Sequence, residues 1–173
     1  MKLWRNFRQW SAFQGTDHQE RRRRVRMKAY KKVLIPLDFH ADNDQIIAKG
    51  KDLAEVNGAR VYLLHVNEPM AGIYTFEAVS FGDELEAFKD KIRSESHVRL
   101  DNFAKEMGVG DAEQLIREGK ASTEIENVVR ELDIDLVVMG THGHSGLQRL
   151  LGSTANSVLN HVDCDVLTVR IRD

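Results

Sequence analysis

After Met27, short β-rich apolar runs alternate with stretches of helical periodicity, and few architectures accommodate that alternation. Val33 to Asp38 (VLIPLD) reads as the first strand. Ile46, Ile47, Leu53 and Ala54 then recur at helical intervals as far as the Asn57-Gly58 stop. Arg60 to Val66 is the second strand. A longer connection from Asn67 to Gly82, with Pro69 and Gly72, leads into a long helix that carries Leu85, Phe88, Ile92, Leu100, Phe103 and Met107 on one face. Glu113 to Glu118 is a third strand, Ala121, Ile125, Val128, Val129 and Leu132 mark a third helix, and Leu136 to Met139 is a fourth strand. The last helix runs through Ala155, Val158, Leu159 and Val162, and the last strand covers Val166 to Ile171. Strands joined through helices become parallel neighbours by right-handed crossovers. The expected fold is therefore α/β, an open and mostly parallel five-stranded sheet with helices on both faces.

In such a sheet, ligands sit beyond the carboxyl ends of the strands, where the strand order reverses. Two features fall there if the first and fourth strands are neighbours. One is Asp38, whose carboxylate can accept hydrogen bonds from ribose hydroxyls or else serve as a cap or turn residue. The other is MGTHGHSGLQRLLGSTA from Met139 to Ala155, where Gly140, Gly143 and Gly152 let the main chain adopt positive φ and approach an anion without a Cβ in the way. Ser153 and Thr154 open the last helix, and their hydroxyls can cap its N–H groups or donate to a phosphate.

The chain has 173 residues, 42% hydrophobic and 30% charged, which suffices for one substantial core. Cys164 is its single cysteine, so an internal disulfide and a multi-cysteine zinc cluster are both excluded. It reads as a small buried residue with nothing nearby to lower its pKa. No apolar run approaches the roughly 18 residues of a membrane span, and a soluble cytoplasmic protein is expected.

Charge is divided unevenly. Residues 1–26 carry eight Lys/Arg against Asp17 and Glu20, a net +6, which leaves −8 on residues 27–173 out of the total of −2. A domain that acidic is unsuited to a phosphate backbone, so nucleic acid is an unlikely partner for it. Within the basic arm, Trp4, Phe7, Trp10 and Phe13 at three-residue spacing suit an interfacial helix on an anionic membrane, and Arg21 to Arg24 suit lipid or nucleic acid. The arm lacks the apolar stretch of a secretory signal. Met27 opens MKAYKKVLIPLD and reads as a plausible natural start. Residues 1–26 are then a basic extension, mostly disordered, ahead of a folded domain at 27–173.

Four pieces in this order resemble the universal stress protein family: VLIPLD, VYLLHVNEP, DLVVMGTHGHSG and LLGSTANSVLNHVDCDVLTVRI, spanning about residues 30–172. The resemblance implies a Rossmann-like fold of the adenine nucleotide alpha hydrolase type. It also implies an ATP site built from Asp38, the main chain at Val66, and Gly140, Gly143, Gly152 and Ser153, with Met139 and Thr154 nearby. Any Mg2+ would be held by the phosphates. The nucleotide-binding pattern is G-x-x-G-x9-G-[S/T], whereas here eight residues, His144 to Leu151, separate Gly143 from Gly152. A residue spans up to roughly 3.5 Å, enough to displace an amide from a phosphate. The shorter loop is closer to the UspA-like branch, whose members often lack the glycines.

Three functions follow from the resemblance. The first is a dimeric stress-response sensor or adaptor that binds ATP or a related adenine nucleotide. The alternative is a UspA-like dimer without nucleotide, acting through protein partners, and the third is a slow nucleotide hydrolase. No G-x-S-x-G elbow and no Walker lysine is present, so no catalytic residue is assigned. A metal site from His40, His142 and His144 is disfavoured, because no acidic or thiolate ligand stands at fixed spacing. Arg149 is either a phosphate neighbour or a surface residue. In the last strand Leu167, Val169 and Ile171 alternate with Val166, Thr168 and Arg170, which leaves an open edge suited to pairing with a second copy across a two-fold axis.

Overall fold

The computed structural model describes residues 29–39, 43–68, 82–141 and 152–170. In chain order these form β1 (Lys32–Leu37), α1 (Asn43–Asn57), β2 (Arg60–Asn67), α2 (Gly82–Glu106), β3 (Glu113–Glu118), α3 (Ala121–Leu132), β4 (Leu136–Gly140), α4 (Ser153–His161) and β5 (Asp165–Val169). All neighbouring strands are parallel, in the order β3-β2-β1-β4-β5. The α/β expectation holds. β1 does neighbour β4, and the order reverses between them.

The period-2 alternation of the strands sends successive side chains to opposite faces of the sheet. On one face Val33, Ile35, Leu37, Leu63 and Val138 pack with Ile46 and Ile47 of α1 and Leu100 and Ala104 of α2. On the other, Leu34, Tyr62, Leu64, Val137 and Met139 pack with Ile125 and Val128 of α3 and Ala155 and Val158 of α4. Burying a Val, Leu or Ile completely is worth roughly 1.5–3 kcal/mol, so both layers stabilise the sheet. Among the described residues, no helix is long and apolar enough to cross a membrane.

Some element ends differ from the sequence reading. β1 stops at Leu37 rather than Asp38, and β5 spans Asp165–Val169 rather than Val166 to Ile171, with Ile171 outside the described residues. In α2, Leu100 is buried and Phe103 packs against the core, as does Met107 just past the helix end, but Phe88 and Ile92 are 50% and 36% exposed. Among the described residues these two side chains are not covered, although Arg93 in the next turn reaches Glu118 at the end of β3. Leu159 of α4 is also exposed.

Pro36 shapes the centre of the sheet. Arg60 N–H donates to the Lys31 carbonyl and Asp135 N–H to the Lys32 carbonyl, so odd-numbered residues of β1 bond towards β2 and even-numbered ones towards β4. Position 36 therefore faces β4, where proline has no N–H to give. The β1–β4 ladder pairs Val33 with Leu136 and Leu34 with Val137 and ends there, while β1 pairs with β2 as far as Leu37. Beyond Leu34 no further β1–β4 pair is formed, and the carboxyl ends of these two strands flank the reversal, where an open α/β sheet places its binding crevice.

The opposite rim is tied down. Oδ2 of Asp135 accepts from the N–H groups of Lys31 (2.8 Å) and Lys32 (3.0 Å). Tyr30 donates its N–H to Asn57 Oδ1 and its hydroxyl to Asp165 Oδ2 (2.9 Å), and that acceptor raises the tyrosine pKa above its usual value.

Candidate functional site

Asp38 is the first residue past β1 and is exposed at the mouth of the crevice. Its Oδ1 accepts a hydrogen bond from Nδ2 of Asn43 at 3.0 Å. Asn43 is 3% exposed and opens α1, so the carboxylate is held against a buried, rigid partner. Phe39 follows with φ 62°, a left-handed conformation uncommon for a bulky residue. That twist turns the Phe39 ring inward onto the His65 ring, with centroids 3.9 Å apart, while the Arg99 guanidinium carbon lies 4.6 Å from the Phe39 centroid. Packing of the phenylalanine thus leaves Asp38 facing outward.

His65 is part of this support. Its Nδ1 lies 2.9 Å from the Leu37 carbonyl, which fits Nδ1–H as donor. Burial pushes its pKa below the usual value, against the opposing pull of that carbonyl and of Asn67. Ser96 Oγ donates to Asn67 Oδ1 at 2.8 Å, and among the described residues Asn67 Nδ2 has no hydrogen-bond partner. Past the strand, Glu68 Oε1 accepts the Ala121 N–H at 2.7 Å and so caps α3 from a distance.

Val66 lies at the carboxyl end of β2. The register pairs Leu37 with His65, which commits the Val66 N–H to the Leu37 carbonyl and directs the Val66 carbonyl past the last residue of β1. An acceptor is thus presented beside Asp38. On β4, Met139 is a packing residue: its side chain is 6% exposed in the core and its backbone pairs with Thr168 of β5.

Gly140 ends β4, and the chain returns beside it, since Gly152 N–H donates to the Thr141 carbonyl at 2.8 Å and Thr141 N–H to Val169. This brings the start of α4 next to the end of β4. Gly152 is the N-cap, with φ −56° and no side-chain cap; the first helical bond runs from Asn156 N–H to its carbonyl. Two expectations need correcting. Ser153 and Thr154 lie inside the helix, so neither is the capping residue, and the N-cap is Gly152, which has no side chain to cap with. Nor does a positive φ explain Gly140 or Gly152: among the described residues the glycines with that conformation are Gly58, Gly108 and Gly119.

Gly143, His40, His142, His144 and Arg149 lie outside the described residues. Cys164 is half-buried and its thiol is pushed up to about 11, by burial first and the Asp165 charge second. Asn43, Phe39 and His65 were not singled out from the sequence. An asparagine opening an amphipathic helix five residues after a strand-terminal aspartate was the one available sign.

A sequence model of the Universal stress protein family matches residues 29–170. The chain belongs to the universal stress protein family. It is 33% identical over 147 residues to Universal stress protein A homolog 2 of Coxiella burnetii, covering 84% of this chain and 99% of that one. The universal stress protein UspA from Lactobacillus plantarum superposes with a TM-score of 0.65 at 22% identity, covering 84% of this chain and 99% of that one. A universal stress protein in complex with cAMP superposes with a TM-score of 0.54 at 25% identity, covering 82% of this chain and 98% of that one. The family match has the same first and last residues as the described part of the chain, 29 and 170, and takes in every strand and helix.

Proposed function

We infer that this universal stress protein binds ATP or a related adenine nucleotide in the crevice between β1 and β4 and acts in the cytoplasm as a dimeric sensor or adaptor. The observation that carries this reading is the position of the first turn of α4, set beside the end of β4 by the bond from Gly152 to Thr141, with a glycine as its N-cap. Free helix N–H groups at the positive end of a helix favour phosphate. The remaining groups suit the rest of the ligand. Asp38 would accept from the ribose hydroxyls, and the Val66 carbonyl would accept from the 6-amino group of adenine. Guanine, with an oxygen there, would meet that carbonyl unfavourably. The bound cAMP of the structural relative is an adenine nucleotide on the same fold.

Mg2+ would reach the site on the phosphates, since no protein group is assigned to it. Signalling needs only that nucleotide favour one state of the protein over another. Dimerisation would proceed through β5, whose outer edge pairs with no strand among the described residues.

The eight-residue spacing from Gly143 to Gly152 favours a second reading, a UspA-like dimer without nucleotide that acts through protein partners. Denaturing extraction of freshly purified protein, with mass spectrometry of the released small molecules, separates the two. An adenine nucleotide in the extract supports the first. An extract free of nucleotide, together with no uptake on incubation with ATP, supports the second.

A further inference from the structure

Both chain neighbours of Asp38 are held by one side chain, the imidazole of His65. The peptide that leads into Asp38 carries the Leu37 carbonyl, which receives the Val66 N–H through the β1–β2 register and the His65 Nδ1–H at 2.9 Å. A carbonyl oxygen has two lone pairs, so this one is fully engaged and its peptide plane is fixed. The peptide that leaves Asp38 runs into Phe39, whose φ of 62° brings its ring onto the same imidazole, 3.9 Å between centroids. A bulky residue keeps that conformation only where its surroundings over-determine it. Here they are His65, the core beneath α1 and α2, and the Arg99 guanidinium 4.6 Å from the Phe39 centroid.

This arrangement bears on the acid itself. β1 pairs with β2 only as far as Leu37, so no ladder bond between these strands fixes Asp38. Its direction is set by the two peptide planes that flank it, and the Asn43 Nδ2 contact at 3.0 Å forms only if they already aim the carboxylate at α1. An O–H···O bond is good only between roughly 2.5 and 3.0 Å. A small rotation of either plane therefore takes the carboxylate out of reach of a ribose hydroxyl, while the strands and the start of α4 stay where they are.

We propose, resting on the reading of the crevice as an adenine nucleotide site, that His65 is the positioning residue of Asp38 and thereby sets the preference of the site for an intact ribose. It does so from both sides, through the Leu37 carbonyl and through the Phe39 ring, without touching the ligand.

Calorimetry with ATP and with 2′,3′-dideoxy-ATP reads this as a ratio of affinities, which cancels any general weakening of the fold. The wild type should bind ATP at least roughly tenfold more tightly than the dideoxy analogue, as a hydrogen bond to a charged group implies. His65→Phe keeps a ring against Phe39 and loses the donor to Leu37. Phe39→Asn tolerates the left-handed turn and loses the ring, so it reports even if the first variant does not fold. Each should lower the ratio at least roughly threefold, whereas Phe39→Tyr, which keeps the ring, should retain the wild-type ratio. An unchanged ratio in the folded variants, even with both affinities reduced, would mean that His65 is merely structural and overturns this inference alone. Equal binding of the two nucleotides by the wild type overturns it together with the assignment of Asp38 to the ribose. No binding of either removes the nucleotide reading on which it rests, and the inference with it.

Discussion

Asn43, buried in the first turn of α1, donates from Nδ2 to the outward-facing carboxylate of Asp38 at 3.0 Å. A helix start is thereby fastened to the end of the central strand, and the acid is presented to the crevice with part of its hydrogen-bonding capacity already committed. Asn43→Leu keeps the volume and removes the donor. It should lower stability by about 1–2 kcal/mol, the usual range for a bond to a charged group reduced for the exposure of Asp38. Adenine nucleotide affinity should fall with it. Urea unfolding and a nucleotide titration of the variant measure the two effects separately.

Pro36→Val restores an N–H directed at β4, where the ladder now ends at Leu34 and Val137. The new hydrogen bond contributes about 1 kcal/mol, and loss of the proline restriction on the unfolded chain costs a similar amount. Stability should therefore move by less than about 1 kcal/mol. The crevice should narrow, and nucleotide affinity should drop. Amide exchange monitored by NMR would show a protected proton at position 36 in the variant; a rapidly exchanging one would mean that the strands stay apart for another reason.

His65 gives the fold a pH dependence of definite sign. Burial lowers its pKa below 6.5, so below that pH the unfolded chain binds more protons than the folded one and stability decreases as pH falls. The groups facing it do not reverse this: Arg99 pushes the pKa the same way, while Asp38 and the Leu37 carbonyl oppose burial without overcoming it. The loss should begin near pH 6.5 and level off below the folded-state value. Thermal unfolding between pH 7.5 and 5 should show this slope in the wild type and a flatter profile in His65→Gln.

The outer edge of β5 can be tested without disturbing β4. Asp165 N–H donates to Asp135 and the Val169 carbonyl accepts from Thr141, so odd-numbered residues bond inward and the Thr168 N–H points to the open edge. Thr168→Pro removes that outward donor alone. Sedimentation velocity should find the wild type dimeric and the variant shifted to monomer with its circular dichroism unchanged. A variant as dimeric as the wild type would put the interface elsewhere.

Much of this architecture was legible because hydrophobic period and turn residues agree along the domain. VLIPLD and LVVM each supply residues to both cores, and Asn57-Gly58 ends α1 where expected, with Gly58 at φ 63°. The reading failed where tertiary context decides. Phe88 and Ile92 continue the helical stripe of Leu100, yet among the described residues they stay exposed while Leu100 is buried. Ser153 has the chemistry of an N-cap, yet the bond from Gly152 to Thr141 sets the helix start one residue earlier. Asp38 was legible as a strand-terminal acid, whereas its partner Asn43 and the left-handed Phe39 that orients it depend on contacts with α1, β2 and α2 that no local pattern records.

Calorimetric titration of the wild type and Asp38→Ala with ATP and with GTP tests the central claim most directly. The site described here predicts ATP binding with one nucleotide per chain, weaker binding of GTP because the Val66 carbonyl faces an oxygen, and at least a tenfold loss of ATP affinity in Asp38→Ala, equivalent to about 1.4 kcal/mol. Absence of heat and of competition with either nucleotide in the folded wild type, or ATP affinity indifferent to Asp38, would contradict it.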